Sequence, residues 1–161
     1  MNIEIICIGS LKEPWLRDAE KEYLKRLIPY LKISVTELPE KKLPKNASAS
    51  DEEMIKDAEG DAILNHAERY KGAFVFAMDM RGKQFTSIGL AEKIDELAGL
   101  GKSTLVFMIG GSLGLTEKVR QKADMNLSFS ELTFPHQMIR VILLEQLYRS
   151  QKILRGEPYH K

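Results

Sequence analysis

The sequence predicts an α/β fold built on a largely parallel sheet. Three observations carry that prediction. Continuous apolar runs of strand length recur at Ile3–Ile8, Ala73–Met78 and Thr104–Ile109, without the polar alternation of a sheet that faces water on one side. Segments with apolar residues at helical spacing lie between them. Strand and helix therefore alternate along the chain, the order that builds parallel sheets through crossover helices.

The elements follow in order. Ile3–Ile8 reads as a buried strand ended by Gly9. Pro14 opens a helix through Ile28, with Trp15, Ala19, Tyr23 and Leu27 at helical spacing and Pro29 as the stop. Leu31–Leu38, with β-branched Ile33, Val35 and Thr36, is a second strand, and Pro39–Ser50 a polar, mobile loop. Ser50, with Glu53 three residues on, has the capping-box spacing for a helix running to about Tyr70. The third strand ends at Asp79. Residues 88–98 form an amphipathic helix, and Thr104–Ile109 a buried strand. Thr116–Ala123 is a short helix capped by Thr116, and Met125–Phe129 the last strand. The final helix opens at Pro135, with Thr133 a good cap and Met138, Ile139, Ile142, Leu143, Gln146, Leu147 and Ile153 giving its period.

At 161 residues the chain is the length of one ordinary domain, and no boundary or repeat divides residues 1–161. Apolar residues make up 43% and charged residues 29%, a globular composition. The net charge of +1 leaves nucleic-acid binding to a local patch or to two subunits acting together. Residues 51–71 hold seven acids against three bases, whereas residues 136–161 hold five bases against two acids. Cys7 stands alone in Ile5-Ile6-Cys7-Ile8 and reads as a buried thiol. It makes no zinc site with His66, His136 and His160, so no metal is expected. With no basic leader and no apolar run of about 18 residues, a cytoplasmic protein without membrane contact is expected.

Two motifs fall away on inspection. Gly101-Lys102-Ser103 resembles the end of a phosphate-binding loop, but the required earlier glycine is Glu96 and the order is helix, loop, strand. Gly110-Gly111-Ser112-Leu113-Gly114 lacks the spacing of a dinucleotide fold. Two readings of these glycines stay open: a tight strand-to-helix turn, or a loop whose backbone approaches a ligand. Ser128-Phe129-Ser130-Glu131-Leu132-Thr133-Phe134-Pro135 is likewise either a capped helix start or the wall of a pocket. Together the two segments suit a small polar cofactor held by backbone N–H and C=O groups.

Ile109-Gly110-Gly111, Leu127-Ser128-Phe129-Ser130, Thr133-Phe134-Pro135-His136, Arg140, Glu145-Gln146-Leu147-Tyr148-Arg149 and the terminal Pro158-Tyr159-His160-Lys161 carry a resemblance. In this order they resemble the bacterial ribosomal RNA large subunit methyltransferase H family, a small branch of the SPOUT superfamily, over the whole length. The resemblance implies a SPOUT-type parallel-sheet domain whose C-terminal part, about 104–161, is a deep trefoil knot holding the cofactor. It implies S-adenosylmethionine as methyl donor, a homodimer, and N3-methylation of a pseudouridine in 23S rRNA of the assembled ribosome. The cofactor positions it implies are Met78 (where such proteins usually carry Leu), Gly110, Phe129, Ser130, Glu131, Leu132, Thr133 and Phe134.

For the chemistry, the imide nitrogen must lose a proton before or during attack. His160 is the candidate base, Tyr159 a candidate to stack on or hydrogen-bond to the base, and Arg140 a candidate to offset negative charge on the uracil oxygens; Arg140 could instead pair with Glu145. His136 is expected to hydrogen-bond locally, and Trp15 and Tyr23 to lie in the core. Arg17, Lys21, Lys25, Arg26, Arg149, Lys152 and Arg155 are candidates for phosphate contacts. The rival reading is a non-catalytic dimeric ribosome- or RNA-binding factor on the same fold.

Overall fold

A computed structural model describes residues 1–160; Lys161, the last residue of the terminal motif, lies outside the described residues. Five parallel strands form one sheet in the order β2-β1-β4-β3-β5: β1 (Asn2–Ile8), β2 (Lys32–Leu38), β3 (Phe74–Gln84), β4 (Thr104–Ile109) and β5 (Met125–Ser128). The helices are α1 (Pro14–Leu27), α2 (Ala49–Ala67), α3 (Ser87–Gly99), α4 (Glu117–Lys122) and α5 (His136–Leu154).

The period of two divides each strand between two cores. Ile3, Ile5, Cys7, Phe76, Leu105 and Phe107 meet Leu27 of α1, Leu90, Ile94 and Leu97 of α3, and Leu143, Leu144 and Leu147 of α5. On the other face Ile6, Ile8, Ala77, Val106 and Met108 meet Ile63 of α2 and Val119 of α4. Burial on both faces is why β1 and β4 read as unbroken apolar runs. Glu4 is the exception in β1. Its carboxylate accepts from the Ser34 hydroxyl and from Thr36 Oγ1 at 2.6 Å, so a charged group that is 1% exposed is still satisfied.

Four expectations need correction. The cap of α2 is Ser48, not Ser50: Asp51 completes the box by accepting from the Ser48 amide at 2.8 Å. Strand β3 does not end at Asp79 but resumes pairing with β5 at Lys83 and Gln84 after an irregularity. Gly82 permits this, because a Cβ there would stand 2.5 Å from the Asn126 carbonyl carbon. Thr133 does not cap α5; Pro135 occupies the cap position with no side-chain hydrogen bond. Trp15 is 55% exposed and lies outside the core, whereas Tyr23 is partly buried against it.

Candidate functional site

At the carboxyl ends of β3, β4 and β5 the chain leaves a cavity of about 670 Å³. That is the size of a small-ligand site, and the position is the usual one for ligands of parallel sheets. Three segments wall it: the β3 irregularity at Met78–Arg81, the glycine loop after β4, and the loop from β5 into α5. Each shape has a local cause. Gly110 carries no side chain because a Cβ would lie 2.6 Å from the Gly114 carbonyl carbon, so the glycine loop can close on itself. In the last loop, buried Ser128 Oγ donates to the Ser130 carbonyl at 2.9 Å, and Ser130 Oγ accepts from the Leu132 amide at 3.0 Å. These hydroxyls take hydrogen bonds that a helix or strand would otherwise make.

The fold brings Met78, Gly110, Phe129, Ser130, Leu132, Thr133 and Phe134 to this cavity. Glu131 is exposed and does not line it. Apolar surface dominates, with backbone and hydroxyl groups interspersed, and the described residues contain no group of three metal ligands. Such a lining fits a compact cofactor with an apolar ring and a polar edge.

Sequence reasoning missed the charged rim. Asp79 forms a bidentate pair with Arg81, both bonds 2.9 Å, and this guanidinium holds the Asp79 carboxyl below the usual range. Lys56 of α2 also lines the cavity. His136, at the start of α5, also lines the cavity. It makes no local hydrogen bond through Nε2, which is buried without a partner among the described residues, and burial pushes its pKa down.

The other candidate catalytic residues lie elsewhere. Arg140 is 4% exposed and does not line the cavity. Its Nη1 donates to Glu37 at 2.7 Å and to Cys7 Sγ at 3.3 Å, and its Nε donates to Glu20. The expected same-helix partner, Glu145, instead holds Arg149 at the favoured four-residue spacing. Burial pushes the Cys7 thiol up to about 11.

Tyr159 and His160 fold back onto the distal part of α5. The Tyr159 hydroxyl donates to Glu145 at 3.2 Å, the Arg149 guanidinium stacks 4.8 Å from the Tyr159 ring centroid, and Arg149 Nη1 approaches His160 Nδ1 at 3.3 Å. An arginine can only donate, so Nδ1 is the acceptor and the neutral ring carries its proton on Nε2. Burial raises the Tyr159 pKa, so its phenol remains a donor. Arg149 lies about 20 Å along the helix axis from His136 at 1.5 Å per residue. Within this chain, tail and cavity are thus at opposite ends of α5.

Among solved structures, the fold matches a probable methylase family protein from Haemophilus influenzae (TM-score 0.58, 14% identity, covering 99% of this chain and 70% of that one). It also matches the tRNA (m1G37) methyltransferase of Aquifex aeolicus (TM-score 0.56, 15% identity, covering 100% and 75%). The class is shown by the family model described as "Predicted SPOUT methyltransferase", which matches residues 1–160. Proteins named ribosomal RNA large subunit methyltransferase H are 52% identical in Clostridium novyi, 50% in Bacillus pumilus and 47% in Alkaliphilus oremlandii, each over 100% of both chains. The chain belongs to this ribosomal RNA large subunit methyltransferase H family of SPOUT methyltransferases.

Proposed function

We propose that the protein is a cytoplasmic, homodimeric methyltransferase acting as one domain with a knotted C-terminal part. It transfers methyl from S-adenosylmethionine to N3 of a pseudouridine in 23S rRNA of the assembled ribosome. Full-length identity near 50% to the named relatives supports the substrate class. The observation that carries the site is the convergence of Met78, Gly110, Phe129 and the 130–134 loop on one cavity.

When bound, the cofactor supplies a methyl group activated by its sulfonium. The chain supplies orientation and exclusion of water. Met78, Leu127 and Phe129 would hold the apolar part of the cofactor, and the Gly110 and 130–134 backbones its polar edge. Glu131 is assigned to the outer face of that loop. His160 and Tyr159 handle the target nucleotide. As N3 took the methyl, with the pair of the breaking S–CH3 bond left on a neutral thioether sulfur, the imide proton would pass to His160 Nδ1 once Arg149 withdraws; Tyr159, held protonated, would donate to a uracil oxygen. Arg140 is buried away from the cavity and acts by holding α5 on α1, β1 and β2. Because tail and cavity lie at opposite ends of α5, each site takes its tail from the second subunit.

The test is transfer of labelled methyl to ribosomes from a strain lacking the modification, with nuclease mapping of the product. Wild type labels a large-subunit pseudouridine; His160→Ala binds cofactor but scarcely transfers. Mixing inactive Gly110→Ala and His160→Ala chains restores activity, since one site of each mixed dimer is intact. No restoration in dimers shown to have exchanged subunits refutes the shared site. Ribosome binding without cofactor binding by wild type would establish the non-catalytic factor instead.

A further inference from the structure

Four of the seven cations expected to meet phosphate on α1 and α5 are engaged by hydrogen bonds or ion pairs within the fold. Arg17 donates to the Leu11 and Lys12 carbonyls at 2.8 and 2.7 Å, Arg26 pairs with Glu22 at 2.7 Å, and Arg149 and Lys152 pair with Glu145 and Glu157 at 2.5 Å. The cavity lining holds two basic side chains, Lys56 and Arg81. Arg81 is neutralised by its bidentate pair with Asp79. Lys56 has no ion pair or hydrogen bond from its ammonium among the described residues, although Glu52 and Glu53 lie one turn before it.

Lys56 is continuous with a second basic feature. Three residues further along α2, buried Glu59 accepts from the Lys41 amide at 3.0 Å, and a Cβ on Gly111 would stand 2.9 Å from its other oxygen. Glu59 thus pins the start of the loop after β2 beside the glycine loop of the cavity. From there Lys41, Lys42 and Lys45 are exposed and make no ion pair among the described residues. The one acid at the start of this segment, Glu40, is paired with Lys12 at 3.0 Å.

We propose that Lys56 and the lysines of the 41–45 loop form a phosphate track that leads an RNA backbone to the mouth of the cavity, with Lys56 holding a phosphate next to the target nucleotide. The proposal rests on the reading of the protein as an RNA methyltransferase. An ammonium that lacks a carboxylate partner at a ligand cavity is a ready partner for phosphate, and flexible lysines match a backbone without reading its sequence. The track lies on the α2 side, away from the tail-bearing end of α5, so each RNA would meet one subunit's lysines and the other subunit's tail.

The experiment compares full-length wild type, Lys56→Gln, Lys56→Arg and a Lys41→Gln/Lys42→Gln/Lys45→Gln variant. Methyl transfer and sedimentation binding are measured on unmethylated ribosomes at several KCl concentrations, and S-adenosylmethionine affinity by calorimetry. Removal of Lys56 is expected to raise KM for ribosomes roughly tenfold. The log–log salt slope should flatten by about 0.7–0.9 for each phosphate no longer held by a lysine, with cofactor Kd unchanged and Lys56→Arg restoring KM. Weakened cofactor binding with unchanged KM would overturn the proposal and assign Lys56 to the cofactor's carboxylate. Unchanged KM, salt slope and cofactor affinity would overturn it outright. Wild type that binds ribosomes with a salt slope the variants flatten, yet transfers nothing, would keep the track and reject methyl transfer.

Discussion

Arg140→Ala separates a structural from a catalytic arginine. In the folded chain Arg140 joins α5 to Glu20 of α1, Glu37 of β2 and Cys7 of β1. Burial works against its charge, while the neighbouring carboxylates favour it, and the balance lies above the ordinary arginine value. Removing one member of a buried ion pair costs about 3–5 kcal/mol, mainly because the other charge is left uncompensated. Glu20 is 14% exposed at the side chain and is caught in this way, but Glu37 is 41% exposed and regains water. The lower end applies, about 3 kcal/mol. At about 2–4 °C per kcal/mol for a chain of this size, the melting temperature falls by roughly 6–12 °C. Urea unfolding at fixed protein concentration measures the loss, and a cycle with Glu20→Gln should return most of it as coupling. A stability change below about 1 kcal/mol, together with collapse of methyl transfer at normal cofactor affinity, would refute the structural role and return Arg140 to the chemistry.

The remaining predictions test other local arguments. Gly110→Ala forces the glycine loop away from Gly114 and should weaken S-adenosylmethionine binding at least tenfold by calorimetry, with little change at the tail. Cys7, with its pKa near 11, should have on the order of 0.1% thiolate at pH 8; it should resist alkylation by a thiol reagent until denaturant is added. His136 has a folded pKa depressed by burial, so the unfolded chain binds the extra proton first. Its contribution is therefore fully present above the unfolded value near 6.5 and is lost as pH falls below it. Wild type should lose more stability than His136→Asn between about pH 7.5 and 5.5; equal losses would show that this imidazole titrates normally.

Much of this fold is written in local patterns. The strands β1 and β4 stand out because burial on both faces demands unbroken apolar runs, and the Thr116 cap because a side chain and a backbone amide three residues apart decide it. The cavity loops were legible only in part: glycines and hydroxyls at strand ends serve turns and helix caps as well as pockets, and only the fold shows the two loops meeting at one cavity. What the sequence concealed depends on distance. Asp79-Met80-Arg81-Gly82 reads as a polar turn, and only the close passage of Asn126 explains why the strand resumes beyond it. The partners of Arg140 lie 103 and 120 residues away, beyond the reach of any local pattern, and Glu145 is the only nearby acid to weigh. Ser48 and Ser50 both have an acid three residues on, and periodicity alone does not choose between them.

The length of α5 makes the functional argument cohere. Its first turn borders the cofactor cavity and its distal turns carry Glu145 and Arg149, the anchor for Tyr159 and His160. A straight helix of 19 residues does not bring its own two ends together, and its packing on α1 and α3 through Leu143, Leu144 and Leu147 keeps it from bending. On the proposed reading, in which cavity and tail both serve one transfer, the two would come from two copies of the chain. This is why a lone protomer should bind cofactor yet transfer methyl poorly, and why the mixed-dimer experiment is the sharper test than either single variant.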